Sequence, residues 1–335
     1  MKRTASIASV VLLLGCTHGT EAPGEQSNVP FALELPPGFP YPNAPLSNPL
    51  TDASVRLGKA LFFEKALSRD NSVSCASCHF PDVAFSDTSA LSTGVEGATG
   101  MRNSPTLGNI AYHGSFFRDG GVPTLERQVL APVHDPLEMD HDITLAAERL
   151  REVEPYRTLS MKAYARALDP YVITRAIASY ERTLISGWSR YDRYMQGQTE
   201  ALTEAEIRGL ELFNSERLNC TACHTGFDLS DRGFHNVGQY LAYADSGRAR
   251  ITLAPGDNGK FKTPTLRNVA LTGPYMHDGS LTSLSQVIDL FTSGGLPHPN
   301  RDPEMQSFVL SQQEKNDLIA FLSALTDERT LDQVR

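Results

Sequence analysis

Four of the five cysteines of this 335-residue chain stand in two short patterns, each closed by a histidine. The patterns are Cys75-Ala-Ser-Cys78-His79 and Cys220-Thr-Ala-Cys223-His224. Two thiols one helical turn apart can each form a thioether with a vinyl group of one haem, and the adjoining histidine then lies under the iron. The spacing predicts two covalently bound c-type haems, attached through the four cysteines, with His79 and His224 as axial iron ligands.

Three other uses of paired cysteines compete with this interpretation: a disulfide, a zinc site and a thioredoxin-like redox pair. Zinc sites need further histidine or cysteine ligands at other spacings, and a redox pair does not need the histidine that follows. The repetition of the complete pattern favours haem.

The first sixteen residues have the composition of an export signal. Lys2 and Arg3 precede an apolar run at residues 7–14, and Leu13-Leu14-Gly15-Cys16 resembles a bacterial lipobox. The run is too short to span a bilayer as a mature helix. We therefore predict a signal peptide at residues 1–16 and lipidation of Cys16, the alternative being an ordinary signal with an incidental cysteine.

Residues 17–50 are rich in proline, glycine, serine and asparagine, and are predicted to form a tether between the anchor and the folded body. Loss of residues 1–16 would change the formal charge from −9 to −11, because it removes Lys2 and Arg3 and no acidic residue. The sequence has no basic patch for nucleic acid. An acidic surface suits a basic electron carrier, although most acidic surfaces are only solvated.

The surroundings of the two haem motifs match each other at constant spacing. The segments at residues 58–62 and 209–213 correspond upstream, and those at 105–109 and 264–268 correspond downstream. An Asp-Gly pair follows Pro105 and Pro264 by 14 residues in each case. Constant offsets across unrelated loops predict an internal duplication.

Helical periodicity recurs along the chain, whereas the alternation typical of strands is almost absent. The predicted helices are 54–64, 124–130, 143–153, 155–168, 172–185, 203–213, 283–291 and 312–325. Thr203 and Glu206 form a capping box at the sixth. We predict a mainly α chain with two cytochrome c-like domains, at residues 51–195 and 196–335.

On these motifs the chain resembles the bacterial di-haem cytochrome c peroxidases and their MauG-like relatives over about residues 50–330. The motifs that carry the resemblance are CASCH, RNSPTLGN, FFRDGG with the following PTLE, PLEM, SYERTLISG, CTACH, PTLRNVALTGPYMHDGS and LIAFLSAL. The resemblance implies that hydrogen peroxide is reduced at the N-terminal haem with electrons that enter through the C-terminal haem.

The resemblance also implies the residues opposite His79. Gln128, Pro132 and Glu138 reproduce the family's spacing of four and then six residues. Glu138 would act as general acid and base on peroxide, and Gln128 would orient peroxide by hydrogen bonding. The alternative is that Glu138 is a surface carboxylate after a proline loop.

A calcium ion between the haems is implied in the same way. Its ligands would be the side chain of Asn103 and the backbone carbonyls of Thr272 and Pro274. The alternative is that Asn103 only caps its loop. Dimerisation is common in the family, so a homodimer is also expected.

The sequence departs from the family pattern at both haems. The loop at residues 86–101 contains no histidine to close the first haem, which is therefore expected to stay open to peroxide. At the second haem, Phe291 stands where the family has methionine or tyrosine, and it has no donor atom. The iron would be five-coordinate or would take His298 or Met276.

A third departure concerns the tryptophan that the family often places between the haems. Arg118 stands there, and we expect it to pair with a haem propionate. The single tryptophan, Trp188, belongs to another motif and is expected to be structural.

Three functions remain open. The first is a peroxidase that takes electrons from a small cytochrome or cupredoxin. The second is a MauG-like enzyme that oxidises a side chain of a partner protein. The third is a non-catalytic electron-transfer cytochrome. All three place the chain in the periplasm or cell envelope, held at a membrane through Cys16 alone.

Overall fold

The computed structural model describes residues 29–334 and is mainly helical. Within this part of the chain, the one sheet pairs two short antiparallel strands, β1 (Phe234–His235) and β2 (Phe261–Lys262). The prediction of a mainly α chain is therefore confirmed. The predicted signal peptide and Cys16 lie outside the described residues.

The α-helices of the described residues are α1 Asp52–Phe62, α2 Leu125–Gln128, α3 Leu130–His134, α4 Ile143–Leu150, α5 Tyr156–Tyr164, α6 Pro170–Glu181, α7 Arg190–Met195, α8 Glu204–Phe213, α9 Ala249–Thr252, α10 Leu284–Ser293 and α11 Gln312–Ala324. Each of the eight predicted helices corresponds to one of these or, at residues 124–130, to two. Helices α7 and α9 were not predicted, because six and four residues are too short for a visible period.

Local chemistry sets the helix ends. The capping box of Thr203 and Glu206 is present at α8. Helix α6 begins earlier than predicted, because Asp169 caps it and Pro170 fits the first turn. The helix predicted at residues 124–130 is divided at Val129, ahead of Pro132, whose missing N–H cannot continue the hydrogen-bond ladder.

Two pairs of helices cross at glycines. Where α1 crosses α6, a methyl group on Gly58 would overlap the carbonyl oxygen of Ala176. Where α8 crosses α11, a methyl group on Gly209 would overlap the carbonyl oxygen of Asp317. The absence of a side chain at both positions lets the helix backbones touch.

Each crossing lies in its own hydrophobic cluster. The first cluster surrounds Phe62, Phe85 and Tyr180, and the second surrounds Phe213 and Phe321. Of their buried residues, the first cluster falls within the predicted N-terminal domain except for Leu50 and Leu331, and the second falls within the predicted C-terminal domain. Leu331 packs in the first cluster, so the last residues return to the N-terminal half.

From residue 29 onward, the predicted tether is irregular but packs on the body. Asn48 is fully buried, and the ring of Phe39 lies 4.7 Å from that of Phe227. The backbone N–H of Glu34 donates to Oε1 of Gln333 at 3.0 Å, which joins this segment to the C-terminal tail. Residues 29–50 are therefore part of the folded structure rather than a free linker.

Candidate functional site

The first haem motif forms a single tight turn. Residues Cys75–Ser77 are a 3-10 helix, and the N–H groups of Cys78 and His79 both donate to the carbonyl oxygen of Cys75, at 3.2 and 3.0 Å. Nδ1 of His79 lies 3.0 Å from the carbonyl oxygen of Phe85. A carbonyl can only accept, so Nδ1 carries the proton and Nε2 keeps its lone pair for a metal.

The second motif repeats this geometry. Cys220–Ala222 is a 3-10 helix, and the N–H of His224 donates to the carbonyl oxygen of Cys220 at 2.9 Å. Nδ1 of His224 lies 3.0 Å from the carbonyl oxygen of Leu229. Phe85 and Leu229 both adopt a positive φ, 57° and 50°, which turns each carbonyl toward its histidine.

A cavity adjoins the first motif, and the empty space in and around it, including solvent at its mouth, is about 1250 Å³. Its wall is largely apolar, with Val73, Leu107, Leu125 and Ile177 among the lining residues. The structure brings together on this wall all the residues that the sequence predicted for the first site: Cys75, Cys78, His79, Gln128, Pro132 and Glu138.

These residues fit a covalently bound haem. Both thiols and the histidine face one cavity, the four cysteines of the described residues form no disulfide, and Nε2 of His79 is unprotonated. The wall also carries Arg118, a partly buried guanidinium that forms no ion pair with a carboxylate of residues 29–334. A cation in that position suits an anionic propionate.

Glu138 is held in a turn after α3. Its N–H donates to the carbonyl oxygen of Asp135 at 3.0 Å, and its carbonyl accepts from the N–H of Val95 at 2.8 Å. Gly94 permits this approach, because a methyl group there would overlap the carbonyl oxygens of Leu137 and Glu138.

Glu138 is an exposed residue, and its side chain lines the cavity. Burial and, to a smaller degree, the negative charge of Asp135 together raise the pKa of Glu138 to about 7. A carboxyl group with this pKa can accept and return a proton near neutral pH.

The break between α2 and α3 positions Gln128 and Pro132. Gln128 ends α2, and Pro132 lies within α3, so both side chains reach the cavity wall. The loop at residues 86–101 adds Ser92, Gly94 and Gly100 to the wall. Among the lining residues, His79 is the single histidine, and an open first haem stays a prediction.

The residues considered as the distal ligand of the second haem lie in α10 and in the loops on either side of it. Phe291 lies in α10, eight residues after the capping Ser283, as Pro132 lies eight residues after the capping Thr124. His298 is buried, and its Nδ1 accepts hydrogen bonds from Asn236 and from the N–H of Asn300 at 3.1 and 3.0 Å.

Met276, the other candidate ligand, sits in a left-handed turn with φ 74°. His277 follows it and stacks on Phe261, with ring centroids 3.9 Å apart. The carbonyl of His277 accepts from the N–H of Asn103 at 2.8 Å, which joins the aromatic pair to the cavity wall by one hydrogen bond. Trp188 lies elsewhere, under the guanidinium of Arg329.

The predicted calcium ligands do not fit a calcium ion. The structure brings Asn103 to the loop that contains Thr272 and Pro274, through its hydrogen bond to His277. However, Nη2 of Arg118 donates to Oδ1 of Asn103 at 2.7 Å, and Nε donates to the Asn103 carbonyl at 2.9 Å. A guanidinium cation therefore occupies the oxygen that would bind calcium, and like charge disfavours a second cation there.

Burial and then the charge of Arg102 lower the pKa of Arg118, the charge of Asp278 opposes them, and the resulting pKa is about 10. Arg118 thus remains a cation at neutral pH.

Glu181, near the end of α6, also lines the cavity, although it was not among the predicted site residues. The sequence pattern could have indicated Glu181, because it is an acidic residue four positions after Ile177, on the buried face of a largely apolar helix. Oε2 of Glu181 has no hydrogen-bond partner among the described residues.

Comparison with known proteins gives a consistent assignment. The family model for di-haem cytochrome c peroxidase matches residues 52–200. The methylamine utilization protein MauG of Methylophilus methylotrophus is 38% identical over 311 residues, which cover 89% of this chain and 91% of that protein. The cytochrome-c peroxidase IdrP1 of Denitromonas iodatirespirans is 34% identical, covering 93% and 90%.

A solved structure is also similar. The crystal structure of a MauG-like protein associated with microbial copper homeostasis superimposes with a TM-score of 0.86 at 35% identity, covering 90% of this chain and 97% of that one. Within residues 29–334, no helix is both long and apolar enough to cross a bilayer.

Proposed function

This chain belongs to the di-haem cytochrome c peroxidase family, and on that premise we propose that it reduces hydrogen peroxide to water in the cavity at His79. Members of the family are oxidoreductases that act on peroxide and carry two c-type haems. The observation that carries the proposal is the cavity wall, which combines a haem-attachment motif, an amide and a carboxyl group of raised pKa.

Residues of the cavity wall have separate roles in the proposed reaction. Haem attached through Cys75 and Cys78 would supply the redox centre at which peroxide is reduced. Glu138 takes a proton from one oxygen of peroxide and returns it to the other, so that the departing group leaves as water instead of hydroxide. The Gln128 amide orients peroxide for this transfer, and the Pro132 ring closes the wall beside it.

Electrons are proposed to enter at the second motif and to pass to the first. Arg118 would bind a propionate on the side of the cavity that adjoins the loop of His277. The acidic chain would take its electrons from a basic carrier, a small cytochrome c or cupredoxin.

Mixing the purified di-haem protein with hydrogen peroxide in a stopped-flow instrument tests the proposal. Rapid change of the haem absorption bands, reversed within milliseconds to seconds by a reduced carrier with catalytic consumption of peroxide, is the expected result. Haem bands that do not respond to peroxide would contradict it and leave only an electron-transfer role.

A second candidate is the oxidation of a partner protein's side chain. Phe291 favours it, because a second haem without a methionine ligand differs from an ordinary electron-entry haem. A peroxide-induced state that persists in the presence of reduced carrier, but decays when a substrate protein is added, would support this reading over the first.

Two wider features belong to the same proposal. The left-handed residues Asn109 and Asn268, with φ 61° and 60°, and the glycine crossings at Gly58 and Gly209 support an origin by duplication, with haem domains at about 51–195 and 196–335.

We also propose export to the periplasm or cell envelope, with a lipid on Cys16. Mass spectrometry of the processed N-terminus tests the lipid.

A further inference from the structure

Glu181 is a second carboxyl group on the wall of the peroxide cavity. It lies one helical turn after Ile177, which also lines the cavity, and only 4% of the residue is exposed. Oε2 has no hydrogen-bond partner among residues 29–334. Burial and then the negative charge of Glu181 raise the pKa of the Cys75 thiol, and that of Glu138 adds a smaller effect, so both carboxyl groups lie near the haem-attachment turn.

The surroundings of Glu181 favour its neutral form. A buried carboxylate without donors is much less stable than the protonated acid. Burial raises the pKa of Glu181 to about 8; the positive charge of Arg182 opposes this, and the negative charge of Glu126 adds to it. Arg182 does not neutralise Glu181 directly, because its Nη1 and Nη2 donate to the two oxygens of Glu126 at 2.7 and 3.1 Å.

Peroxide reduction needs protons that Glu138 does not supply. One hydrogen peroxide, two electrons and two protons give two waters. The transfer at Glu138 moves a proton already on peroxide from one oxygen to the other and yields the first water without any external proton. The second water requires two protons to arrive together with the two electrons from the carrier.

We propose that Glu181 is a second acid of this cavity, whose neutral carboxyl group gives up one of the two protons that complete the second water. The O–H bond of Glu181 breaks as an O–H bond of that water forms, the carrier supplies the accompanying electron, and the carboxylate regains its proton from solvent. The assignment rests on the proposed peroxide reduction, and it divides the proton chemistry between two residues on different elements.

Kinetics of the holoenzyme separate the two carboxyl groups. Glu181→Gln keeps the size and polarity of the side chain but cannot donate its proton. With one equivalent of peroxide and no carrier, its first reaction is expected to stay within twofold of the unaltered protein. The following, carrier-dependent reaction is expected to slow by about 10- to 100-fold, within the usual effect of an acid–base residue.

Three further variants complete the comparison. Glu138→Gln should instead slow the first reaction. Glu181→Asp, which retains an acid, should recover part of the carrier-dependent rate. Glu148→Gln, at an exposed position on α4, should change neither reaction.

Infrared spectroscopy gives a readout that needs no turnover. The resting holoenzyme at pH 7 should show the carbonyl band of a protonated, buried carboxyl group, which is lost as the pH rises through about 8. The band with a midpoint near pH 8 should survive in Glu138→Gln and Glu148→Gln. In Glu181→Gln it should be lost, and any carboxyl band that remains should belong to Glu138 and titrate near pH 7. Should Glu181→Gln fail to retain both haems, the pH titration of the band in Glu138→Gln still decides the protonation state.

The outcomes distinguish this inference from the proposed function. A lack of any reaction between peroxide and the unaltered holoenzyme would refute peroxide reduction and the donor role with it. Normal peroxide reduction, with an unchanged carrier-dependent step in Glu181→Gln or no protonated carboxyl band, would refute the role of Glu181 alone.

Discussion

Nη2 of Arg118 donates a hydrogen bond of 2.7 Å to the side-chain oxygen of Asn103, and Nε of the same guanidinium donates to the Asn103 carbonyl at 2.9 Å. Asn103 in turn donates its N–H to His277. This chain of contacts connects the first cavity to the loop beyond Pro274 through protein groups. A fixed side-chain cation thus takes the position for which the family resemblance implied calcium.

Removal of calcium is therefore expected to have no effect. After treatment with a calcium chelator, haem absorption spectra and peroxide turnover should stay within twofold of the untreated values, because Arg118 already supplies the positive charge at Asn103. Metal analysis of the washed protein provides the check. Loss of activity that added calcium restores would show that the guanidinium moves aside, and that Asn103, Thr272 and Pro274 bind the ion after all.

Replacement of Glu138 is expected to stop peroxide reduction without disturbing the haems. Glu138→Gln removes the group that moves the proton, and turnover should fall by about 10²- to 10⁴-fold. Haem content should be unchanged, because both attachment motifs remain. Turnover near that of the unaltered protein would show that the carboxyl group on the cavity wall is not the acid–base group.

The same group sets a pH dependence with a defined sign. Glu138 must be ionised to accept a proton from peroxide, so turnover should rise with pH through about 7, its raised pKa. The charge of Asp135 contributes to the raised pKa of Glu138. The substitution Asp135→Asn should therefore move the midpoint of the turnover profile to lower pH. A midpoint that stays in place would remove Glu138 from the explanation.

The crossing of α1 and α6 at Gly58 leaves no room for a side chain at that position. Gly58→Ala would place a methyl group against the carbonyl oxygen of Ala176, and overpacking of this kind costs roughly 1–3 kcal/mol of unfolding free energy. Chemical denaturation measures the loss. Gly114→Ala is the control, because no atom lies within 4 Å of the added carbon. Equal stability of the two variants would contradict the close approach of α1 and α6.

Glu181 should make stability depend on pH. Its pKa rises from 4.5 in the unfolded chain to about 8 in the folded one. Between these values the folded state holds a proton that the unfolded state has lost, so the free energy of unfolding should fall as the pH increases, by up to about 1.4 kcal/mol per pH unit. Denaturation at several pH values measures the slope.

Glu181→Gln should remove this contribution and leave a shallower dependence, whereas Glu148→Gln should not. Identical slopes for Glu181→Gln and the unaltered protein would mean that the carboxyl group is ionised in the folded state.

The second haem should lack a methionine ligand. The oxidised spectrum of the protein is expected to show no methionine–iron charge-transfer band, since Phe291 offers no donor atom. Phe291→Met is expected to create the band and raise the potential of that haem, as methionine ligation does in cytochromes c. A methionine band in the unaltered protein would point to Met276 as the ligand instead.

How far the sequence predicts the structure depends on whether the signal is local. The haem motifs and the capping box of Thr203 follow from short-range chemistry, whereas the residues spaced around Pro132 follow from the family resemblance. Leu331 was assigned to the C-terminal domain, because nothing local indicates that the tail returns to the first cluster. The same limit applies to Arg118, for which the sequence favours a propionate partner but does not reveal the bond to Asn103.

Glu181 illustrates a different limit. Helical periodicity places it on the buried face of α6, but only the packed structure shows that this face borders the cavity and that Arg182 is engaged by Glu126. Charged residues on buried faces are usually paired, and pairing is a property of the tertiary contacts. The sequence therefore predicts that Glu181 lies on the buried face of α6, but it does not predict its protonation state.

The junction of Glu34 with Gln333 and Arg329 brings both ends of the described chain to one patch of surface. A group attached at Gln333 would therefore lie beside Glu34. Trimming the last few residues would remove the partners of Glu34, whereas Asn48 and Phe39 would still hold the opening segment to the body.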